Sequence, residues 1–134
     1  MRHELLTGRL RLRPATVGDS AELLHVAPPR AGETVEARAK RLAGHSAVSD
    51  QWFHAHGYGV WIIEEHGGSA MMGFVGAKPN EDPREPELMY GLHERARGKG
   101  YAAEAAHAVT RHLFSLPSTT QVWAQADPDN IASW

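Results

Sequence analysis

The stretch HERARGKGYAAEAAHAV, residues 93–109, sets two glycines and a lysine between an arginine-rich run and an alanine-rich one. Glycines let a ligand approach the backbone closely. The first turn of a helix offers unpaired N–H groups and partial positive charge. Arg95, Arg97 and Lys99 add full charges. Together these features suit a phosphate or diphosphate. Two groups able to take a proton lie just upstream, the carboxylate of Glu87 and the imidazole of His93. An unperturbed imidazole titrates at about 6.5, close to neutral pH.

These residues need elements to position them. PELMYGLHE, residues 86–94, reads as a strand. Leu88, Tyr90 and Leu92 share one face of it, and Glu87, Met89, Gly91 and His93 the other. From Ala102 the apolar residues run Ala102, Ala106, Val109, Leu113 and Leu116, a helical period that Pro117 stops. The glycine turn therefore joins a strand to a helix beginning near Gly98.

Upstream, YGVWIIEE (58–65) and AMMGFVGAK (70–78) flank a Gly-Gly turn and predict an antiparallel hairpin. Both faces of the first run are apolar, which marks a central strand. KPNEDPREPE (78–87) holds three prolines and clustered charge and predicts a loop. RLRLR (9–13) alternates as a half-buried strand, with Leu10 and Leu12 inward and the arginines toward water. Thr16 with Asp19 marks the start of a short helix. Residues 33–56 read as helix in two pieces broken near Gly44, with a weak apolar stripe. QVWAQA (121–126) predicts a last strand, and DPDNIASW the start of a further helix.

Three phosphate sites compete for the glycine turn. A Walker A loop needs Ser or Thr after its lysine, and Lys99 is followed by Gly100. Gly98, Gly100 and Ala103 fit the dinucleotide pattern GxGxxA, but such a turn follows its strand directly and opens its domain. The third is an R/Q-x-x-G-x-G/A pattern, matched by Arg97, Gly100 and Ala102. On that motif the chain resembles the GNAT acetyltransferase superfamily. LLTGRLRLRPATVGDSAELL, ELMYGLHERARGKGYAAEA and DPDNIAS follow in the order found in its ribosomal-protein N-terminal acetyltransferase branch.

The resemblance implies one α/β domain over residues 1–134, with a mixed and mostly antiparallel sheet flanked by helices. It implies acetyl-CoA as co-substrate, with no metal. Arg97, Gly98, Lys99, Gly100, Tyr101 and Ala102 would hold the diphosphate. The strand end at Leu92 and His93 would pair its backbone with the pantetheine arm and help polarise the thioester carbonyl. Asn130 would also approach the cofactor, or serve as a helix N-cap.

Acetyl transfer to an amine needs a neutral amine. A Lys-type amine has a pKa of about 10.4 and an α-amine about 7.7, so a base is required. Glu87 is the first candidate, its other reading being a solvated loop-edge carboxylate. His93 is the second, its other reading a strand-end histidine that lends only backbone. Glu104 reads as structural, tying the helix to a neighbour. Trp52 and Phe53 suit either the core or an acceptor wall. The acceptor implied is an amine, of a protein N-terminus or a small molecule. The acidic residues 81–87 offer a cationic one some attraction.

Relatives in the family continue past NIAS into a helix and closing strands. The resemblance thus implies a C-terminally incomplete domain, either shortened or completed by a partner in a homodimer. A CoA-binding or dimerising domain without turnover is the alternative function. Among 134 residues, net charge is −2 and no basic stripe accompanies the tryptophans, which argues against nucleic acid. No window approaches the roughly 20 apolar residues of a membrane span. The absence of cysteine excludes disulfides, thiolate metal sites and a cysteine nucleophile, and fits a cytoplasmic protein. His54 with His56 and His107 with His112 lack a third ligand at recognisable spacing.

Overall fold

The computed structural model describes residues 3–26 and 30–124. Six strands form one sheet in sequence order: β1 (Leu5–Leu6), β2 (Leu10–Pro14), β3 (Val60–Glu65), β4 (Gly73–Lys78), β5 (Glu87–Leu92) and β6 (Trp123–Ala124). Every neighbouring pair is antiparallel except β5 and β6, which run parallel. Parallel neighbours need a crossover, and the helix α3 (Tyr101–Ser115) lies within it. The sheet is the mixed, mostly antiparallel one expected.

Alternation along the strands divides the core between two faces. Leu10, Leu12, Trp61, Ile63, Val75, Leu88 and Leu92 pack with Ala102, Ala105, Ala106, Val109 and Leu113 of α3. Val60, Ile62 and Phe74 pack on the opposite face with Leu23 of α1 (Ser20–Leu23) and Leu42 of α2 (Val35–His56). β3 is buried from Val60 through Glu64, as a central strand must be.

Two expectations change. Residues 35–56 form one helix with no break at Gly44. Gly44 is exposed, with nothing near the position of an added Cβ, so it only lowers local propensity. The buried stripe is Leu42, Ser46, Ser49 and Phe53. Two small polar residues in it make the apolar period look weak. Ser49 belongs there because its hydroxyl accepts a hydrogen bond from the Val60 N–H at 2.9 Å.

The arginines of β2 do not simply face water. Arg11 and Arg13 converge on Glu64, whose side chain is 3% exposed, at 2.5 and 2.9 Å. Arg13 also forks onto Asp19 through Nη1 and Nη2, and the Asp19 carboxylate accepts from the Thr16 N–H at 2.8 Å. Loss of Glu64 would leave both guanidiniums without their shared, buried partner. This network ties the start of α1 to the sheet.

Candidate active site

The link from β5 to α3 carries most of the candidate residues. Gly98 and Gly100 adopt left-handed backbone, with φ of 77° and 79°. An L side chain at such a φ is strained, so the glycines are required by conformation. The first helical bond of α3 runs from the Glu104 N–H to the Gly100 carbonyl at 3.0 Å. The N–H groups of Tyr101, Ala102 and Ala103 therefore have no partner within the helix. Those of Gly98 and Gly100 have no backbone acceptor among the described residues either. Arg97 and Lys99 are exposed beside them. The turn thus gathers Arg97, Gly98, Lys99, Gly100, Tyr101 and Ala102 into one donor-rich, cationic surface able to hold a diphosphate.

Tyr101 contributes backbone only. Its ring is buried under Arg9 at 4.6 Å, and its hydroxyl donates to Glu65 at 3.2 Å. Arg95 is directed away from the turn, toward the Met71 carbonyl at 3.3 Å.

The backbone of His93 is engaged within the protein on both sides. Its N–H donates to the Met72 carbonyl at 2.8 Å, and its own carbonyl accepts from the Ala96 N–H at 2.9 Å. Both groups are spent in closing the strand and starting the short 3-10 turn of residues 94–96. Burial and the nearby charge of Arg95 lower the pKa of its imidazole, which is neutral at pH 7.

Leu92 differs. The Pro86 carbonyl accepts from the Trp123 N–H at 2.9 Å, whereas the His93 N–H turns to β4. Alternation between these anchors turns the backbone of the even-numbered residues, Leu92 among them, toward the β6 side. β5 and β6 are paired at two positions among the described residues, Glu87 with Trp123 and Leu88 with Ala124.

Glu87 stands at the other end of β5, ~16 Å from Leu92 at the usual rise per residue. Its Oε2 lies 3.3 Å from Lys78 Nζ, across the strand pair. It borders an open cleft of about 440 Å³ with Asn80, Glu81, Asp82, Glu85, Trp123 and Ala124. The site residues thus fall into two groups, the glycine turn with Leu92 and His93 and the cleft with Glu87. Asn130 lies outside the described residues.

The acceptor-wall reading of Phe53 fails. It is buried against Trp61, ring edge to ring face at 4.8 Å. Trp52 packs in the smaller core cluster. His56 stacks on Tyr58, and His112 Nε2 bonds the Gly57 carbonyl at 2.7 Å. Among the described residues no three His, Asp or Glu side chains group as metal ligands.

The model of the acetyltransferase (GNAT) domain family matches residues 9–134. The chain belongs to the GNAT acetyltransferase family. A protein of Bordetella pertussis assigned to the GNAT family superposes with a TM-score of 0.74 at 22% identity. That match covers 97% of this chain and 82% of the other. An acetyltransferase from Agrobacterium tumefaciens gives 0.72 at 27% identity, over 97% and 77%. RimL, a ribosomal-protein α-N-acetyltransferase solved in complex with coenzyme A, gives 0.68 at 18% identity, over 97% and 78%. The chain is accordingly an acetyltransferase domain, and its family uses acetyl-CoA. No helix among the described residues is long and apolar enough to cross a membrane.

One residue of this GNAT domain was hidden in the sequence. Arg9 reaches the glycine turn from the opposite end of the chain, through Lys99 and Glu104. Its partners lie 90 and 95 positions away, and no local pattern links them. The structural reading of Glu104 is met here, since its carboxylate also accepts from Thr7 and from the Arg9 N–H.

Proposed function

We propose that this chain moves an acetyl group from acetyl-CoA to an amine, with the diphosphate held by the turn from Gly98 to Ala102. The observation that carries the reading is the set of unpartnered N–H groups on two left-handed glycines and the first turn of α3, with Arg97 and Lys99 beside them. Bound acetyl-CoA supplies an activated acyl group on a thiol leaving group. The chain's own residues bind it, orient it and accept a proton.

Leu92, beside the turn, presents backbone groups to the pantetheine arm. The thioester is separated from the diphosphate by the full length of that arm, so the reacting end belongs toward the Glu87 end of β5. This argues against Leu92 as the donor that polarises the carbonyl. It also argues against His93 as the base, since His93 precedes Arg97 by only four residues. Glu87 takes the proton of the amine, directly or through water. Lys78 engages its Oε2, and its Oε1 has no partner among the described residues. The acceptor class is an α-amine of a protein or a small-molecule amine. The α-amine needs less help, because its pKa of about 7.7 leaves more of it neutral than an amine at 10.4.

Calorimetry with acetyl-CoA tests the reading. Binding by the parent and at least tenfold weaker binding by Gly100→Val is the expected result. A folded parent that binds no acetyl-CoA would remove the donor assignment and the enzyme reading with it.

A further inference from the structure

Arg9 lies between β1 and β2, and its guanidinium serves three contacts at once. Nε donates to Glu104 Oε1 at 2.7 Å, Nη1 donates to the Lys99 carbonyl at 2.9 Å, and the guanidinium carbon sits 4.6 Å from the centre of the Tyr101 ring. A planar fork can satisfy all three, whereas an ammonium cannot. Glu104 anchors the arrangement. Burial pushes its carboxyl up, but hydrogen bonds from Thr7 and Arg9 outweigh that and hold it below the ordinary range.

The Lys99 carbonyl is an informative partner. It belongs to the peptide that joins Lys99 to Gly100, between the two left-handed glycines. A trans peptide is planar, so its C=O and N–H point in opposite directions. Holding the Lys99 oxygen toward Arg9 therefore aims the Gly100 N–H away from Arg9. Glycine at position 100 widens the φ open to that peptide and makes its rotation sterically cheaper. Among the described residues the hydrogen bond to the Lys99 carbonyl comes from Arg9.

We propose that Arg9 is a positioning residue for the acetyl donor, locking the Lys99–Gly100 peptide so that its N–H faces the diphosphate. This rests on the assignment of the turn to the diphosphate. Arg9 acts through the turn, and its effect is confined to ligands that carry the diphosphate.

The test compares acetyl-CoA with S-acetylpantetheine, which lacks the diphosphate and the nucleotide. Dissociation constants are measured by direct and competition calorimetry for the parent, Arg9→Met and Arg9→Lys. The parent should prefer acetyl-CoA strongly. Arg9→Met should weaken acetyl-CoA by 10-fold or more, on the order expected for losing a charge-assisted contact, and leave S-acetylpantetheine within about twofold. Arg9→Lys should recover only a minor part, since charge is restored without the fork. Should Arg9→Met not fold, Glu104→Gln keeps the shape of the anchor and should weaken acetyl-CoA selectively by a smaller factor. Equal weakening of both donors, unchanged acetyl-CoA affinity, or full rescue by lysine would each overturn the proposal. A parent that binds both donors equally would overturn the diphosphate assignment itself, a separate failure visible before any variant is made.

Discussion

Glu87 opens β5 and His93 directly follows its other end, so their substitution should separate two steps. Glu87→Gln is expected to lower turnover by about 10²–10⁴-fold, the usual weight of a general base, and to leave acetyl-CoA affinity unchanged. His93→Gln should leave turnover within threefold, because its imidazole lies at the end beside the glycine turn. Steady-state rates with a panel of amines, read beside calorimetry, check both. The carboxylates held low by partners set an acid limit. The pKa of Glu104 is depressed in the fold, so its contribution is complete above its ordinary value of about 4.3 and is lost as pH falls through the depressed one. Asp19 follows the same sign: burial pushes its carboxyl up, and the hydrogen bonds from Arg13 and Thr16 outweigh that. The thermal midpoint of the parent should fall steeply below pH 4, and that of Glu104→Gln less so. At this scale the sequence was legible where the chemistry is local. The residues 97–102 lie in one run, and their turn gathers them. Arg9 was not legible, because a hydrogen bond from Arg9 to Lys99 leaves no trace in either neighbourhood.

Among the elements, α2 shows why a helix can be correctly located and wrongly divided. Its buried stripe sets Ser46 and Ser49 together between Leu42 and Phe53, and its one glycine faces solvent. Hydropathy periodicity weighs serine as polar wherever it points, so the stripe faded and the glycine read as a break. The start of the helix is set by Thr34, whose side chain accepts from the Ala37 N–H at 3.1 Å. Thr34→Ala should cost about 1 kcal/mol in urea unfolding. The hairpin of β3 and β4 was legible from its Gly-Gly turn. The two-residue strand β1 was not, because so short a segment carries no period. Its pairing with β2, Leu5 opposite Leu12, exists only in three dimensions.

In the whole molecule, the sheet is crossed closely by the chain that follows α1. A Cβ added to Gly91 would lie 2.4 Å from the carbonyl oxygen of Val26. That contact is with backbone, which cannot rotate away. Gly91→Ala should therefore destabilise the domain by about 1–3 kcal/mol, the range for overpacking, and denaturant unfolding would measure it. The order of the layers was legible only through the resemblance of whole segments, since no single period says which helix covers which face. The tie between Arg9 and the glycine turn has a consequence for motion. The turn is fastened to the hairpin of β1 and β2 through Arg9, so opening that hairpin loosens the hold on whatever the turn carries. A bound donor then slows the opening by mass action. With the donor saturating, the linkage equals the factor by which loss of the Arg9 contact weakens binding, about tenfold or ~1.4 kcal/mol. The amides of Thr7 and Leu10, bonded within that hairpin, should exchange with deuterium about tenfold more slowly once acetyl-CoA is added. The N-terminal residues would thereby report the occupancy of a site built some 90 positions downstream.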